Sequence, residues 1–388
     1  MSRFLFVVPP FAGHINPVAG VATELAARGH TVSWVGDAEV LSGLLPDNST
    51  IRHVRLPGAV DRPAQQRGFD ALRFLWERVL LPLAAEMVPA VENAVAVDQP
   101  DIVVADQQAF AGALVAERIG LPWATSATTS SEFTDPLAAM PKVRDWVAAR
   151  LAELRGRYGD PDRTGDLRYS PHLVLGFTTA DLLGDTATIS ANTRLVGPVA
   201  RSESDAPPFD VARPLLYVSL GTVNAAAGER FLRECVAALA ERPWLHAVVT
   251  DLGGVVADAP ATVTVRESVP QLAVLDNADA VLCHAGHNTV CESLARGLPL
   301  VVAPIRDDQP IVADQVVQAG AGVRLRFARA TSSHIGAAID AVLTEETYRA
   351  AARRIARSFR AAGGAVAAAD HLVALADNPC GSTQSDTR

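Results

Sequence analysis

The sequence predicts an α/β protein built from two domains, each with a parallel sheet. Its 388 residues are too many for a typical single core and suit two domains of roughly 150–200 residues each. Short apolar runs alternate with amphipathic helical segments in the first part of the chain, and a second alternating unit begins with the strand Leu215–Leu220. Because strands that alternate with helices pair in parallel and carry helices on both faces, this order favours two such sheets.

The first domain is predicted to open with a strand, Phe4–Val8, followed by a helix. Asn16 and Pro17 are the residue types that favour an N-cap and a first helical position, and Gly29 favours the helix end. Between them, apolar residues recur at helical spacing: Val18, Val21, Ala22 and Leu25. The same alternation continues in three later elements: the strands Thr31–Val35 and Ile102–Ala105, and the helix Ala109–Ile119.

Other segments depart from this alternation. Two stretches, from about Gly58 to Pro89 and from Ser126 to Tyr169, are predicted to be irregular. The polar segment Ala200–Pro208 is predicted to link the domains. Helices over residues 345–363 and 364–377 are predicted to close the chain, and the polar tail 378–388 is predicted to be disordered.

Composition and charge exclude several classes of protein. Hydrophobic residues make up 49% of the chain and charged residues 20%, as in soluble globular proteins. The net charge of −9 argues against a nucleic-acid partner, because no basic stripe survives that balance. Apolar runs such as Val79–Ala85 are interrupted by Pro82 and are far shorter than the roughly 20 residues of a membrane helix, so no membrane span is expected.

The start of the chain leads directly into a strand rather than a signal peptide, and the four cysteines form no CxxC pair, which predicts a reduced, cytoplasmic protein. Nothing in the sequence indicates an oligomeric state.

The stretch Cys283–Glu292 carries the most specific pattern. A buried strand, Ala280–Cys283, stops at a tight turn and opens directly into a helix, whose N-terminal N–H groups and dipole suit an anion such as a diphosphate. Asn288, Thr289 and Glu292 share one face of that helix because of their spacing. The first two suit phosphate oxygens, and the carboxylate suits ribose hydroxyls. This pattern predicts a nucleoside-diphosphate site, whereas GxGxxG, GxxxxGK[ST] and GxSxG motifs are absent from the sequence.

Three further residue patterns point to chemistry. In Ser219-Leu220-Gly221-Thr222, the glycine lets the backbone approach a phosphate, and Ser219 or Thr222 can donate to it. His14 is predicted in the loop after the first strand, at a helix start, where an imidazole can accept a proton near neutral pH. Asp106 ends the strand Ile102–Ala105, and an alternative role for it is to cap the following helix.

These motifs, in this order, resemble those of family 1 glycosyltransferases, which have the GT-B fold and glycosylate small lipophilic molecules. The stretch Cys283–Glu292 is similar to the plant signature His-Cys-Gly-Trp-Asn-Ser followed by Glu, and to the form found in bacterial antibiotic-tailoring enzymes. The resemblance extends from Phe4 to about Asp377. It implies two Rossmann-like domains that face each other across a cleft. Residues 1–205, with helix 364–377 crossing back, would bind the acceptor, and residues 211–363 would bind the nucleotide sugar.

The resemblance also implies roles for individual residues. His14 would be the general base, and Asp106 its orienting partner. Five groups of residues follow in chain order: acceptor contacts at Phe69, Phe74, Trp76, Phe133 and Trp146; phosphate contacts at Ser219 and Thr222; base-edge contacts at Val269 and Gln271; diphosphate and ribose contacts at His284, Gly286, Asn288, Thr289 and Glu292; and sugar contacts at Asp308 and Gln309.

Departures from the family pattern leave some points open. Ser268 stands where the plant motif has the tryptophan that stacks on the base, so the choice between UDP and dTDP stays open. Ala285 replaces the usual glycine or cysteine, and His287 has no assigned role. Asp308 could instead be an N-cap before Pro310. For any single aromatic residue, packing is the alternative to a ligand contact.

The predicted function is an inverting transfer of a sugar from a UDP- or dTDP-linked donor to a hydroxyl of a small lipophilic natural product. No cofactor is expected, since the nucleoside-diphosphate sugar is a co-substrate. No metal is expected either, because the one DxD, Asp160-Pro161-Asp162, lies in a polar connection rather than after a strand. Alternatives are a C-glycosyltransferase that uses much the same base, a GT-B sugar-nucleotide epimerase, and a non-catalytic partner protein. An epimerase would need acids near the sugar and no acceptor pocket, and a non-catalytic protein would not need His14, Asp106 and Glu292.

Overall fold

The computed structural model of the protein describes residues 1–54, 68–185, 187–199, 214–221 and 225–378. Within them the chain forms two compact units. Unit 1 comprises Met1–Phe177, Thr188–Val199 and Ala362–Arg388, and unit 2 comprises Thr178–Ala187 and Ala200–Ala361. Each unit is built on one parallel sheet with packed helices, so the predicted fold class is confirmed.

In the described parts of the chain, the secondary structure alternates as the sequence indicates. The strands are β1 (Arg3–Val7), β2 (Thr31–Gly36), β3 (Thr50–His53), β4 (Ile102–Asp106), β5 (Trp123–Ala127), β6 (Leu173–Gly176), β7 (Thr193–Leu195), β8 (Leu215–Ser219), β9 (His246–Thr250), β10 (Val263–Arg266), β11 (Ala280–Cys283), β12 (Leu300–Val302) and β13 (Gly322–Arg324). The α-helices are α1 (Ala12–Ala27), α2 (Ala38–Ser42), α3 (Gly68–Phe74), α4 (Leu81–Asp98), α5 (Phe110–Ile119), α6 (Pro141–Tyr158), α7 (Ala180–Leu183), α8 (Ala225–Ala240), α9 (Gln271–Leu275), α10 (His287–Ala295), α11 (Gln309–Gln318), α12 (Ser332–Thr344), α13 (Glu346–Ala362) and α14 (Gly364–Asp377).

Unit 1 has a sheet whose order, over the described strands, is β3-β2-β1-β4-β5-β6-β7. Its central strand β1 is apolar throughout because both faces are covered. Phe4 and Phe6 pack in the core formed with α1 and α14, whereas Leu5 and Val7 pack in the core formed with α4 and α5. Such two-sided burial is typical of parallel strands. Since all strands are parallel, their carboxyl ends lie at one edge of the sheet.

Helix α1 begins earlier than the sequence suggests. The N-cap is Phe11 rather than Asn16, and Pro17 lies inside the helix. The N–H groups of His14 and Ile15 both donate to the carbonyl of Phe11, which starts the helix about one turn sooner. His14 therefore lies in the first turn of a helix and not in a loop, so its backbone is held by helical hydrogen bonds.

Both stretches predicted to be irregular contain long helices. Residues 68–98 form α3, a π-helical turn (Leu75–Leu80) and α4 without interruption. The π-helical turn ends two residues before Pro82, whose missing N–H breaks the α-helical bonding pattern. Within residues 126–169, α6 occupies Pro141–Tyr158. The proposed linker Ala200–Pro208 and all but the first residue of the C-terminal tail lie outside the described residues.

The segment Gly68–Asp98 is also long and apolar enough, by length and composition alone, to cross a membrane. A core helix of a globular domain meets the same criteria. Leu83, Met87 and Val91 lie on one face of α4 at helical spacing and are buried in the core of unit 1. Packing within unit 1 therefore accounts for the apolar residues on this face of α4.

Unit 2 has a sheet whose order, over the described strands, is β10-β9-β8-β11-β12-β13. Two cores cover its faces, one containing Tyr217 and Val281 and the other containing Val218 and Leu282. Leu182 of α7 joins the first of these cores, so the short segment 178–187 packs with unit 2 although the predicted boundary at residue 205 assigns it to the first domain.

Helix α14 belongs to unit 1, although it follows unit 2 in the chain. The N–H of Gly364 donates to the carbonyl of Val196 at 2.7 Å, which fixes the start of the helix. Ala368, Ala369 and Leu372 are fully buried in the core that contains Phe4 and Phe6. The last helix of the described chain thus completes the core built by the first strand.

We expect Leu372→Ala to destabilise the protein by about 2–5 kcal/mol, because it leaves a cavity in this core. Val366→Ala is the matched control on the same helix, since Val366 is 50% exposed and its truncation should change the free energy of unfolding by less than about 0.5 kcal/mol. Urea unfolding followed by circular dichroism measures both. Equal effects of the two substitutions would show that α14 does not stabilise unit 1.

Candidate active site

In unit 1, a histidine, an aspartate and a threonine meet at the carboxyl edge of the sheet. β1 pairs with β4, so the start of α1 after β1 lies beside Asp106, the last residue of β4. The Nδ1 atom of His14 lies 3.0 Å from both carboxylate oxygens of Asp106. The side chain of Asp106 is fully buried, and that of His14 is 17% exposed. The predicted pair is therefore brought together by strand pairing.

This contact determines which nitrogen of His14 can act as a base. A carboxylate only accepts hydrogen bonds, so Nδ1 carries the proton and donates a hydrogen bond to Asp106. In the neutral ring, Nε2 then carries the lone pair. Oδ1 of Asp106 also accepts from the N–H of Gln108 at 2.8 Å, whereas the N-cap of α5 is Ala109. Asp106 thus orients His14 and does not cap the helix, which was its alternative role.

Thr128 is a third member of this group that the sequence analysis missed. Its hydroxyl donates to Oδ2 of Asp106 at 3.1 Å and lies 2.8 Å from Nδ1 of His14. Thr128 is buried and directly follows β5, the neighbour of β4 in the sheet. Its position one residue after a buried strand is the signal that could have identified it, because the carboxyl ends of parallel strands share one edge.

The aromatic residues predicted to contact an acceptor are only partly brought together. The ring of Trp76 stacks on Phe110 and meets Trp146 edge-on, and Trp146 in turn meets Phe69 edge-on. Trp76 is 4% exposed, which makes it a core residue, whereas Phe69 is 42% exposed. The other two predicted aromatic residues lie outside this series of rings. Phe133 is buried beside Gly176, and Phe74 is half-buried in α3.

In unit 2, the carboxyl ends of β8 and β11 hold a buried histidine between two glycines. The register pairs Ser219 with Cys283, so Gly221 and His284 follow adjacent strands. A Cβ atom at Gly221 would lie 2.6 Å from Cε1 of His284, and one at Gly286 would lie 2.4 Å from Nε2. Only glycine fits at either position while the ring stays in place. Gly221 and Gly286 therefore leave the space into which this imidazole packs.

Burial controls the charge of His284. Loss of solvent lowers the pKa of His284 to about 4, against the opposite effect of a hydrogen bond with the Ser219 backbone, so the ring is neutral at physiological pH. Its Nδ1 atom is buried and has no hydrogen-bond partner among the residues that the structure describes. A neutral imidazole can donate one hydrogen bond to a phosphate oxygen but brings no positive charge.

Helix α10 starts directly after this turn. Its N-cap is Gly286, which has no side chain to cap the first turn, and the N-terminal N–H groups of a helix have no acceptor within it. Ala285, which directly precedes the N-cap Gly286, has a positive φ of 65°, which is unusual for a residue with a Cβ and marks a strained turn. Asn288 and Thr289 lie in the first turn of α10, as predicted.

Glu292, one turn further along α10, is held by a chain of hydrogen bonds. Nε2 of Gln271 donates to Oε2 of Glu292 at 2.6 Å, and the hydroxyl of Tyr217 donates to Oε1 of Gln271 at 3.2 Å. Tyr217 is 1% exposed, and burial raises its pKa to about 12, which keeps the hydroxyl protonated. Gln271 is predicted from the sequence to contact the nucleotide base, whereas Tyr217 is not among the predicted site residues. Its place two residues before Ser219 in β8 puts it on the same face as that residue.

The remaining donor-site residues are placed as follows. The hydroxyl of Ser219 accepts from the N–H of Gly221 at 3.4 Å, Val269 is partly buried against the core, and Thr222 lies outside the described residues. Oε1 of Gln309 accepts from the N–H groups of Ile305 and Arg306, at 2.9 and 3.1 Å. A sugar contact by Gln309 would therefore use Nε2. Asp308 is the N-cap of α11 but forms no side-chain capping bond.

In the described part of the chain, no group of three or more His, Cys, Asp or Glu side chains is placed to hold a metal ion. The DxD segment is occupied locally, since Oδ1 of Asp160 accepts from the N–H of Asp162 and Oδ2 lies 3.6 Å from Arg163. Cys235, Cys283 and Cys291 are buried free thiols, and burial raises their pKa values.

Comparison with known proteins supports one enzyme class. Residues 211–361 match the family model "UDP-glucoronosyl and UDP-glucosyl transferase", and residues 12–135 match "Glycosyltransferase family 28 N-terminal domain". Demethyllactenocin mycarosyltransferase of Streptomyces fradiae is 30% identical over 97% of this chain and 87% of its own length. The 4'-demethylrebeccamycin synthase of Lentzea aerocolonigenes is 29% identical over 96% and 99%. The solved structure of the kitacinnamycin glycosyltransferase matches with a TM-score of 0.82 and 25% identity, over 97% of this chain and 98% of that one.

We expect Gly221→Ala to displace His284 and to weaken nucleotide binding. Gly120→Ala in unit 1 is the matched control, because its φ of 70° is close to the 72° of Gly221, while no described atom lies within 4 Å of the added methyl group. Both variants incur the left-handed strain of about 1–3 kcal/mol. Only Gly221→Ala adds overpacking of about 1–3 kcal/mol. Urea unfolding and titration with UDP and dTDP compare them, and identical behaviour would contradict the packing role of Gly221.

We expect Tyr217→Phe to weaken nucleotide binding by about 3–10-fold, the value of one hydrogen bond. Without the hydroxyl, the carboxamide of Gln271 can rotate and turn its oxygen toward the Glu292 carboxylate. Tyr348→Phe is the control, since Tyr348 packs on the opposite face of the same sheet. Isothermal titration with UDP and dTDP gives the two dissociation constants. Unchanged affinity in Tyr217→Phe would show that Gln271 does not orient Glu292 for binding.

Proposed function

The chain belongs to the family 1 glycosyltransferases of GT-B fold that include antibiotic-tailoring enzymes, and from this premise we propose a specific reaction. It transfers a sugar from a UDP- or dTDP-linked donor to a hydroxyl of a small lipophilic natural product, with inversion at the anomeric carbon. The observation that carries the proposal is the contact of His14 Nδ1 with both oxygens of Asp106 at 3.0 Å.

His14 is the proposed general base. With its Nδ1 proton held by Asp106, its Nε2 takes the proton of the acceptor hydroxyl as the oxygen attacks the anomeric carbon. The buried carboxylate then stabilises the imidazolium that forms, and Thr128 holds the carboxylate through Oδ2. One C–O bond forms to the acceptor, and the bond between the sugar and the diphosphate breaks on the opposite side.

Unit 2 is the proposed donor-binding unit. Glu292, held by Gln271, is suited to accept from ribose hydroxyls, and the first turn of α10 with neutral His284 is suited to donate to the diphosphate. Because His284 brings no charge, stabilisation of the leaving diphosphate rests on the helix terminus and other hydrogen-bond donors. We propose that departure of the diphosphate needs no metal ion. We also propose that the reaction proceeds in the cytoplasm, where the free cysteines stay reduced.

A natural-product acceptor is supported by the relatives, whose names refer to demethyllactenocin and 4'-demethylrebeccamycin. The aromatic side chains of Phe69 and Trp146, which are not fully buried, offer it an apolar surface in unit 1. The proposed donor carries either UDP or dTDP, and no particular sugar is assigned to it.

We expect His14→Ala to lower turnover by about 10²–10⁴-fold, the usual contribution of a general base, while UDP or dTDP still raises the melting temperature. His53→Ala is the control, because His53 is a surface histidine of unit 1 whose Nδ1 accepts a backbone N–H, and turnover should be unchanged. The assay monitors release of nucleoside diphosphate with EDTA present. Normal turnover in His14→Ala would refute the assignment of the base.

A further inference from the structure

The hydroxyl of Thr128 contacts both side chains of the proposed catalytic pair. Its Oγ1 atom lies 2.8 Å from Nδ1 of His14 and 3.1 Å from Oδ2 of Asp106, so both atoms are within hydrogen-bonding distance. A hydroxyl group has a single proton, and Thr128 can therefore donate to only one of these two atoms at a time. The atom that receives this proton determines the state of the imidazole.

The three side chains allow two arrangements of protons. In the first, Thr128 donates to Oδ2 of Asp106, its oxygen accepts from Nδ1–H, and Nε2 of His14 carries the lone pair. In the second, Thr128 donates to Nδ1, so the ring proton lies on Nε2, which then cannot accept a proton from a substrate. The second arrangement also turns the lone pair of Nδ1 toward two carboxylate oxygens at 3.0 Å, which repel it. The carboxylate therefore selects the first arrangement.

The sheet holds the hydroxyl and the carboxylate at fixed positions. The side chain of Asp106 is fully buried, and its Oδ1 accepts from the N–H of Gln108 at 2.8 Å. Thr128 is 3% exposed and directly follows β5, which pairs with β4. Rotation about the C–O bond of Thr128 is then sufficient to move the proton from one acceptor to the other.

We infer that Thr128 is a positioning residue whose hydroxyl proton sets the tautomer of His14, and that Asp106 keeps the base active by drawing this proton away from Nδ1. With the carboxylate present, the hydroxyl supports the active tautomer. Without the carboxylate, the same hydroxyl donates to Nδ1 and stabilises the inactive tautomer. Its effect on the reaction therefore changes sign when Asp106 is removed. The inference rests on the proposed function, since it takes His14 as the base.

The test is the effect of Thr128→Val on kcat in the unmodified protein and in Asp106→Ala. In the unmodified protein we expect kcat to fall by about 3–10-fold, the value of one hydrogen bond. Asp106→Ala should itself lower kcat by about 10²–10⁴-fold, because the ring proton moves to Nε2. In that background Thr128→Val should raise kcat by about 3–10-fold, since no hydroxyl then donates to Nδ1. A residue that acts only through packing would lower kcat in both backgrounds.

Two control substitutions separate the hydroxyl from the rest of the side chain. Thr128→Ser keeps the hydroxyl and should behave as threonine does in both backgrounds. Thr125→Val removes another fully buried hydroxyl of β5, one that accepts from the N–H of Ser170 at 2.7 Å, and should leave kcat unchanged in both. If Asp106→Ala does not fold, Asp106→Leu replaces it, because leucine also offers no acceptor and fills the space of the carboxylate.

Nuclear magnetic resonance of the full chain measures the tautomer without donor or acceptor. The histidines are ¹⁵N-labelled, the spectra are recorded at alkaline pH, where the rings are neutral, and the signal of His14 is identified by its loss in His14→Ala. We expect the proton on Nδ1 in the unmodified protein and on Nε2 in Asp106→Ala. Adding Thr128→Val to Asp106→Ala should shift the proton back toward Nδ1.

Three results would overturn the inference. They are a kcat of the double variant equal to or below that of Asp106→Ala, a loss of activity in Thr128→Ser as large as in Thr128→Val, and a tautomer in Asp106→Ala that does not depend on the hydroxyl. Failure of the proposed function is a separate outcome. If no UDP- or dTDP-linked sugar supports transfer but the tautomer follows Thr128 as expected, the hydrogen-bonding role stands without the reaction.

Discussion

Parallel pairing of β1 with β4 is the constraint on which the candidate active site depends. It places the turn after Val7 and the side chain of Asp106 at one edge of the sheet, so that the first turn of α1 can present His14 to the carboxylate. The pairing is itself secured by apolar residues on both faces of β1, because Phe4 and Phe6 complete one core and Leu5 and Val7 the other. Burial in the middle of the sheet therefore brings together His14 and Asp106, which are 92 residues apart in the chain.

In unit 2, too, the pairing of parallel strands brings site residues together, although through different contacts. There the adjacent strands β8 and β11 bring Gly221 and His284 together, and the absence of side chains at two glycines creates the space for the ring. Hydrogen-bond chains position the functional atoms in both units: Thr128 supports Asp106, which orients His14, and Tyr217 supports Gln271, which orients Glu292. In each case the outermost member is a buried hydroxyl on or next to a strand.

The sequence was sufficient to predict elements whose signal is local. Buried strands such as Ala280–Cys283 and the helix over residues 364–377 match the structure because apolar runs and glycine boundaries determine them. The predicted start of α1 is wrong, because Pro17 favours a first helical position although the helix already begins after Phe11. The helix over residues 68–98 was missed because Pro82 and Pro89 interrupt its pattern, and the π-helical turn before Pro82 has no signature in sequence. Thr128 and Tyr217 were missed for another reason: hydroxyl residues in strands are common, and only three-dimensional pairing shows which of them meet a charged or amide partner.

The position of α14 has a consequence for how the protein is made. During synthesis on the ribosome, unit 2 is complete once residue 361 has been added, whereas unit 1, begun first, still lacks α14, which together with α1 covers Phe4 and Phe6. Domains of nascent chains generally fold in order from the N-terminus. Here that order is reversed at the last step, because the earliest strands cannot close their core before the final segment of the described chain emerges. A nascent chain stalled before residue 364 would therefore expose an apolar sheet face, the kind of surface that chaperones bind.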